Sequence, residues 1–305
     1  MSQIAVIGAG LMGHGIALTF ARAGHQVCLT DPVADMLATA PARISESLAL
    51  LGATGDEITA SVARVTLCAD LPEAVRSASV VFEAAPEKLD LKQSLFEQIE
   101  AHAPADAILA SNTSVIQISK IMGGLATRQR ALGTHWWNPP HMIPLVEVVK
   151  TQWSDPGVAQ AMCEVLAQAG KTPVMVEKDV PGFIGNRLQH ALWREAISLV
   201  ENGICSAEAV DEVVKASFGR RLAVLGPLEN ADLVGLELTQ DIHSQVLFDL
   251  ETSPDPSPHL QKMLDQGRTG MTAGGGLRDW NEDDLAATKA RVANHLRQLE
   301  KILPK

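Results

Sequence analysis

Ile4-Ala5-Val6-Ile7-Gly8-Ala9-Gly10-Leu11-Met12-Gly13 decides the fold of this 305-residue chain. Four apolar residues make a buried strand, three glycines follow at GxGxxG spacing, and the helical run Ile16–Ala23 continues until Gly24 stops it. A bare GxGxxG is weak evidence. Between a strand and a helix, however, it is the turn that holds a dinucleotide. Gly8 allows the turn, Gly10 lets a pyrophosphate approach the backbone, Gly13 lets the helix pack close, and the helix start at Leu11 and Met12 offers N–H groups to the phosphates. The next strand, Val27–Leu29, leads to Asp31, 18 residues beyond Gly13. A carboxylate there accepts from a ribose 2′-hydroxyl and repels a 2′-phosphate, and no Arg immediately follows it, so the expected cofactor is NAD rather than NADP. The bland alternative is an ordinary turn aspartate before Pro32.

Outward from this turn, Val80–Ala84, Ile108–Ser111 and Arg130–Thr134 are further short apolar runs separated by helical patterns. That alternation predicts an α/β fold, a Rossmann-like, doubly wound and mostly parallel sheet with helices on both faces. Thr172–Val176 reads as a last strand, and Pro181-Gly182 marks the boundary. The domains are therefore expected at 1–181 and 182–305, the second smaller and all α. Its helices are read over Phe183–Gly203, Ala207–Phe218, Leu228–Leu250, His259–Gly267 and Glu282–Leu303. A length of 305 residues suits two domains at about 100–200 residues each.

Composition narrows the classes of function. A hydrophobic content of 46% with 20% charged residues is globular, and no apolar run is long enough to span a membrane. The N-terminus opens directly into a strand, without a basic leader, so a cytoplasmic location is expected. A net charge of −11 argues against nucleic acid or anionic membranes as partners. Cys28, Cys68, Cys163 and Cys205 form no CxxC pair, so no metal site or disulfide framework is expected.

Two segments follow strands at the edge where open α/β sheets do chemistry: Ser111-Asn112-Thr113-Ser114, and His135 through Glu147 by way of Trp136-Trp137-Asn138-Pro139-Pro140. A lone histidine is more often structural. His135 differs in having a carboxylate twelve residues on that could return to orient its imidazole as a base.

With these segments, Pro86-Glu87 with Lys92, Pro181-Gly-Phe-Ile-Gly-Asn186-Arg187, Gly226-Pro227 and Asp232-Leu-Val-Gly235, the chain resembles the 3-hydroxyacyl-CoA dehydrogenase family over nearly its whole length. The resemblance implies a reversible NAD-dependent dehydrogenase acting on a hydroxyl. It also implies that His135 is the base, held by Glu147, with Ser114 and Asn186 bonding the substrate oxygen. Glu87 and Lys92 match positions near the cofactor, family members are commonly homodimers through the α-domain, and His141 receives no role.

Members acting on acyl-CoA carry a lysine-rich helical arm after the second strand that receives the CoA phosphates. Here Pro32–Leu67 holds Arg43 and Arg64 against Asp35, Glu46, Asp56 and Glu57, a net of −2. The segments Asn138–Glu147 and Phe218–Pro227 look more like the lambda-crystallin and L-gulonate 3-dehydrogenase branch, which uses small free acids. The expected substrate is thus a small 3-hydroxy acid, with Arg221 as a candidate clamp for its carboxylate and a solvated helix-end arginine as the alternative. An L-3-hydroxyacyl-CoA dehydrogenase is the second reading, and a crystallin-like structural NAD-binding protein the third.

Overall fold

The computed structural model describes residues 2–303 and divides into a first unit ending at Arg187 and a second beginning at Leu188. The first unit runs β1 (Gln3–Ile7), α1 (Leu11–Arg22), β2 (Gln26–Thr30), α2 (Ala34–Ala38), α3 (Ala40–Leu50), α4 (Gly55–Val62), β3 (Val65–Leu67), α5 (Leu71–Val75), β4 (Val80–Glu83), α6 (Leu89–His102), β5 (Ile108–Ser111), α7 (Ile118–Met122), β6 (Ala131–Trp136), β7 (Leu145–Val149), α8 (Pro156–Gln168) and β8 (Thr172–Val176). The strands form one sheet in the order β3-β2-β1-β4-β5-β6-β7-β8. Every neighbouring pair is parallel except β6 with β7. The order reverses at β1, which opens a crevice beyond its carboxyl end, where the glycine turn lies.

Strand alternation sends side chains into two apolar layers. Ile4 and Val6 point into one, with Phe20, Phe82 and Trp136, while Ala5 and Ile7 point into the other, with Phe96, Ile99 and Phe183. Fully burying each such large side chain contributes roughly 1.5–3 kcal/mol. Helices α3 and α4 pack on α1, and Ile44 and Leu48 of α3 are fully buried in the first layer. Segment 34–62 is therefore part of the sheet's cover.

Two strands were not expected from the sequence. β3 is only three residues long, and β7 lies just past a Pro-rich corner and turns back antiparallel, so neither shows the pattern of an isolated apolar run. β6 also extends past Thr134 to include His135 and Trp136.

The second unit is helical, with most of α9 (Gly185–Glu201), then α10 (Ala207–Ala216), α11 (Pro227–Val234), α12 (Leu236–Val246), α13 (Pro258–Asp265) and α14 (Asp284–Ile302). The single helix read over Leu228–Leu250 is broken in two by Gly235, which takes φ +103°. The division between units falls six residues past Pro181, because residues 184–186 are tied to the first unit by hydrogen bonds described below. Among the described residues no helix is long and apolar enough to cross a membrane.

Candidate active site

His135 lies one residue before the end of β6 and is paired directly with Glu147 of β7. Its Nδ1 is 2.6 Å from Glu147 Oε2, and both side chains are buried. The other carboxylate oxygen, Oε1, accepts from the backbone N–H groups of Ile184 at 2.8 Å and Gly185 at 3.1 Å. A turn makes this possible, with Gly182 at φ +73° and Phe183 at φ +51°. A left-handed non-glycine residue costs of order 1–3 kcal/mol, and here it is held by a buried Phe183 ring 5.6 Å from the His135 ring. A side chain at Gly185 would collide with the Trp137 indole, whose ring centroid is 5.2 Å from that of His135.

Burial by itself would raise the Glu147 pKa, but the His135 bond and the Gly185 and Ile184 N–H groups outweigh it and hold the carboxyl below its ordinary value. An ionised carboxylate only accepts, so Nδ1 of His135 carries the proton, and Nε2 is the nitrogen that exchanges a proton with a substrate. This is the arrangement of an oriented imidazole base.

Ser111-Asn112-Thr113-Ser114 follows β5 and is held at several points. Ser111 Oγ donates to Glu83 Oε2 at 2.6 Å, and Asn112 Oδ1 accepts from Trp136 N at 3.0 Å, next to His135. Glu87 Oε1 accepts from Thr113 Oγ1, Ser114 N and Val115 N. Burial pushes the Glu87 carboxyl up, while Thr113, the Lys92 ammonium and the two N–H groups bring it down to a net lowered pKa. Asn186 Nδ2 donates to the Ser114 carbonyl at 2.8 Å, leaving its second N–H and its oxygen. His135, Glu147, Ser114, Asn186 and Glu87 are thus joined by one chain of contacts.

Lys92 departs from the expectation of a cofactor contact. Its side chain is fully buried and its ammonium faces Glu83 Oε1 at 2.7 Å, Ala85 O at 3.2 Å and Glu87 Oε2 at 3.5 Å. Two of these contacts are hydrogen bonds and the third is an ion pair, all within the protein. Its effect on a ligand passes through Glu87. Glu83, at the end of β4, was missed; the only signal for it was a charge closing the apolar run Val80-Val81-Phe82.

At the glycine turn, a Cβ on Gly13 would lie 1.7 Å from Gly8 O, and one on Gly8 would lie 2.7 Å from Ala84 O. A Cβ on Gly10 would meet open space, and α1 begins at Leu11 with no side chain capping its N–H groups. An open approach beside uncapped helical N–H donors fits a dinucleotide pyrophosphate. Leu11 is exposed, while Met12 packs on the core. The Asp31 carboxylate accepts from Ala9 N at 2.7 Å and Val33 N at 2.8 Å. Its remaining lone pairs suffice for a ribose hydroxyl.

Arg221 is in the second unit, exposed, just after the short 3-10 turn Phe218–Arg220. Its carbonyl accepts from Val224 and Leu225.

Residues 3–180 match the family model for the 3-hydroxyacyl-CoA dehydrogenase NAD-binding domain, and residues 182–280 match that for its C-terminal domain. The chain belongs to the 3-hydroxyacyl-CoA dehydrogenase family. A 5-formyl-3-hydroxy-2-methylpyridine 4-carboxylate 5-dehydrogenase of Mesorhizobium japonicum is 34% identical over 99% of this chain and 98% of its own length. An L-carnitine dehydrogenase of Streptomyces griseus subsp. griseus is 38% identical over 77% of this chain and 70% of its own. The human mitochondrial hydroxyacyl-coenzyme A dehydrogenase is 35% identical over 91% and 90%. A solved structure of the pyridine carboxylate 5-dehydrogenase, an NAD+-dependent dismutase, superimposes with a TM-score of 0.91 at 32% identity, covering 99% of this chain and 98% of that one. As a member of the 3-hydroxyacyl-CoA dehydrogenase family, the protein is an NAD-dependent oxidoreductase acting on CH–OH groups.

Proposed function

We propose that this dehydrogenase works on a small free hydroxy acid rather than a CoA thioester. The observation that carries the reading is the acidic cover of the glycine turn: segment 32–67 has a net charge of −2, where a CoA-binding member needs lysines for a polyanion. The end-to-end likeness to a dehydrogenase whose name contains a free carboxylate supports it.

NAD, held by Gly8, Gly10, Leu11, Met12, Gly13 and Asp31, would supply the hydride acceptor. His135 Nε2 takes the hydroxyl proton as the carbon is oxidised, and Glu147 stabilises the imidazolium that results. Ser114 and Asn186 orient the substrate oxygen, and in reverse His135 returns the proton. The rings of Trp137 and Phe183 beside His135 keep the base dry, where its bond to Glu147 is strongest.

The test is NAD reduction across 3-hydroxy acids, sugar acids, a formylpyridine carboxylate and 3-hydroxybutyryl-CoA. A free acid should give the highest kcat/KM. Higher efficiency on the thioester would overturn this reading in favour of an acyl-CoA dehydrogenase, and no turnover on any of them would favour a structural NAD-binding role.

The protein is further proposed to be a homodimer through its helical unit. None of the helices α9–α14 has a buried residue among those described, and Leu228 and Phe248 are each 81% exposed. So much uncovered apolar surface calls for a partner, and a second copy is the simplest one. Light scattering on the eluting protein should give twice the mass of one 32.5 kDa chain. A cytoplasmic location is proposed with it, in keeping with four free thiols.

A further inference from the structure

Ala9 and Gly10 span the open side of the glycine turn, and three side chains from outside the three glycines hold their peptide groups. Ala9 N–H donates to Asp31 Oδ2 at 2.7 Å. The Ala9 carbonyl accepts from Arg43 Nη1 at 2.8 Å, and the Gly10 carbonyl accepts from His14 twice, from its backbone N–H at 3.1 Å and from its Nδ1 at 2.9 Å. A carbonyl has no proton to give, so Nδ1 of His14 is the protonated nitrogen. Its Nε2 lies 3.4 Å from Ser47 Oγ of α3, the hydroxyl donating.

Arg43 is fastened at a second point, Nη2 to Met36 O at 2.5 Å. It springs from α3 one residue before the fully buried Ile44, so the guanidinium projects from a packed helix and not from a mobile loop. Burial, above all, lowers the His14 pKa, with the nearby Arg43 charge adding to it against the Gly10 bond, which keeps the ring neutral and its tautomer single.

The peptide plane converts these anchors into directions. A carbonyl and the next residue's N–H point opposite ways in a trans peptide, so fixing the Ala9 oxygen aims the Gly10 N–H, and fixing the Gly10 oxygen aims the Leu11 N–H. The Ala9 carbonyl dipole is turned onto a guanidinium, and the Gly10 carbonyl, already the first acceptor of α1, is held further by an imidazole. Gly10 itself has no Cβ and open space in front of it.

We propose that Arg43 and His14 are positioning residues of the NAD site, which pull the Ala9 and Gly10 carbonyls back so that the Gly10 and Leu11 N–H groups face the pyrophosphate. This rests on the reading of Gly8–Gly13 as the NAD turn. Neither residue belongs to the glycine signature; α3 supplies one and the first turn of α1 the other. Arg43 also lends the turn a positive charge in an otherwise acidic segment.

The test is a calorimetric titration of the full chain with NAD, alongside kcat and KM for NAD with the best substrate. Arg43→Met removes the guanidinium and keeps most of the stem; it should raise the Kd and KM for NAD about tenfold while kcat at saturating NAD stays within about twofold. His14→Phe should raise the Kd several-fold. His14→Asn, whose amide nitrogen takes the place of Nδ1, should return to within about twofold of the wild type, and Arg43→Lys should fall between wild type and Arg43→Met.

A Kd for NAD unchanged in Arg43→Met, a loss confined to kcat, or equal weakening in His14→Asn and His14→Phe would overturn the proposal. Should Arg43→Met fail to fold, Arg43→Lys and the His14 pair make the same comparison. Failure of the wild-type chain to bind NAD would overturn the cofactor reading instead, before any variant is compared.

Discussion

His135 and Glu147 face each other across the antiparallel β6–β7 ladder, with Nδ1 and Oε2 2.6 Å apart. The carboxylate's other oxygen is taken by two backbone N–H groups, so Glu147 has one orientation and gives the imidazole one tautomer. The geometry comes from strand pairing.

His135→Gln should therefore lower kcat by roughly 10²–10⁴ with NAD affinity nearly unchanged. Glu147→Gln should act in the same direction but less severely, because the ring remains and only its orientation and charge partner are weakened. Rapid-mixing kinetics beside an NAD titration check both, and wild-type turnover by the histidine variant would remove His135 as the base.

Lys92→Met should destabilise the fold strongly, by about 3–5 kcal/mol, because it leaves the fully buried Glu83 carboxylate without its charge partner. Adding Glu83→Gln should recover part of that loss by removing the orphaned charge. Urea unfolding of the two single variants and the double variant measures the coupling, and additive losses would contradict it.

Stability should also carry a histidine signature in mild acid. Burial, helped by the charges of His14 and Lys171, pushes the His141 pKa down to about 4 from its ordinary 6.5. The unfolded chain then takes up a proton that the native state refuses, so stability is full above pH 6.5 and falls progressively toward pH 4. Arg43 lies close enough to His14 to lower its pKa as well, so charging either ring in this corner meets cations. His141→Phe should flatten the stability profile between pH 6.5 and 4, and parallel profiles for the two proteins would show that the histidine is not responsible.

Arg221→Met separates the two readings of that residue. As a carboxylate clamp it should cost about 10² or more in kcat/KM for the best free acid, with little effect on NAD affinity. An unchanged kcat/KM would leave Arg221 as a solvated arginine at a helix end.

What could be read from the sequence was whatever its own neighbourhood specifies. The Gly8–Gly13 turn, Asp31 and the alternation of short strands with helices are local patterns. The pairing of His135 with Glu147 was visible only as a spacing of twelve residues, and the antiparallel strand that delivers it was hidden by its place just behind the Pro139-Pro140 corner, with a carboxylate at its centre. Glu83, Arg43 and His14 were invisible because their roles come from partners 9–34 residues away, or from a back-bond within a helix. Lys92 was placed near the cofactor by resemblance, but desolvation decided its partners, since a fully buried ammonium must find its hydrogen-bond and charge partners inside the protein.

The β6–β7 ladder also polices its own alignment during folding. His135 and Glu147 lie on the sheet face of Phe183, while their neighbours Trp136, Val146 and Val148 lie on the opposite, apolar face. Slipping the ladder by one residue would turn Glu147 into that apolar layer, unpaired, and bring its valines out of it. The cost of a buried lone carboxylate makes such a misaligned chain unable to compete with the native one. The pair that moves the proton thus also acts as a proofreading mark for strand alignment, so the connection beyond Trp137, up to Pro144, can change in length or sequence without shifting the catalytic residues, provided that the two strands still meet at this pair.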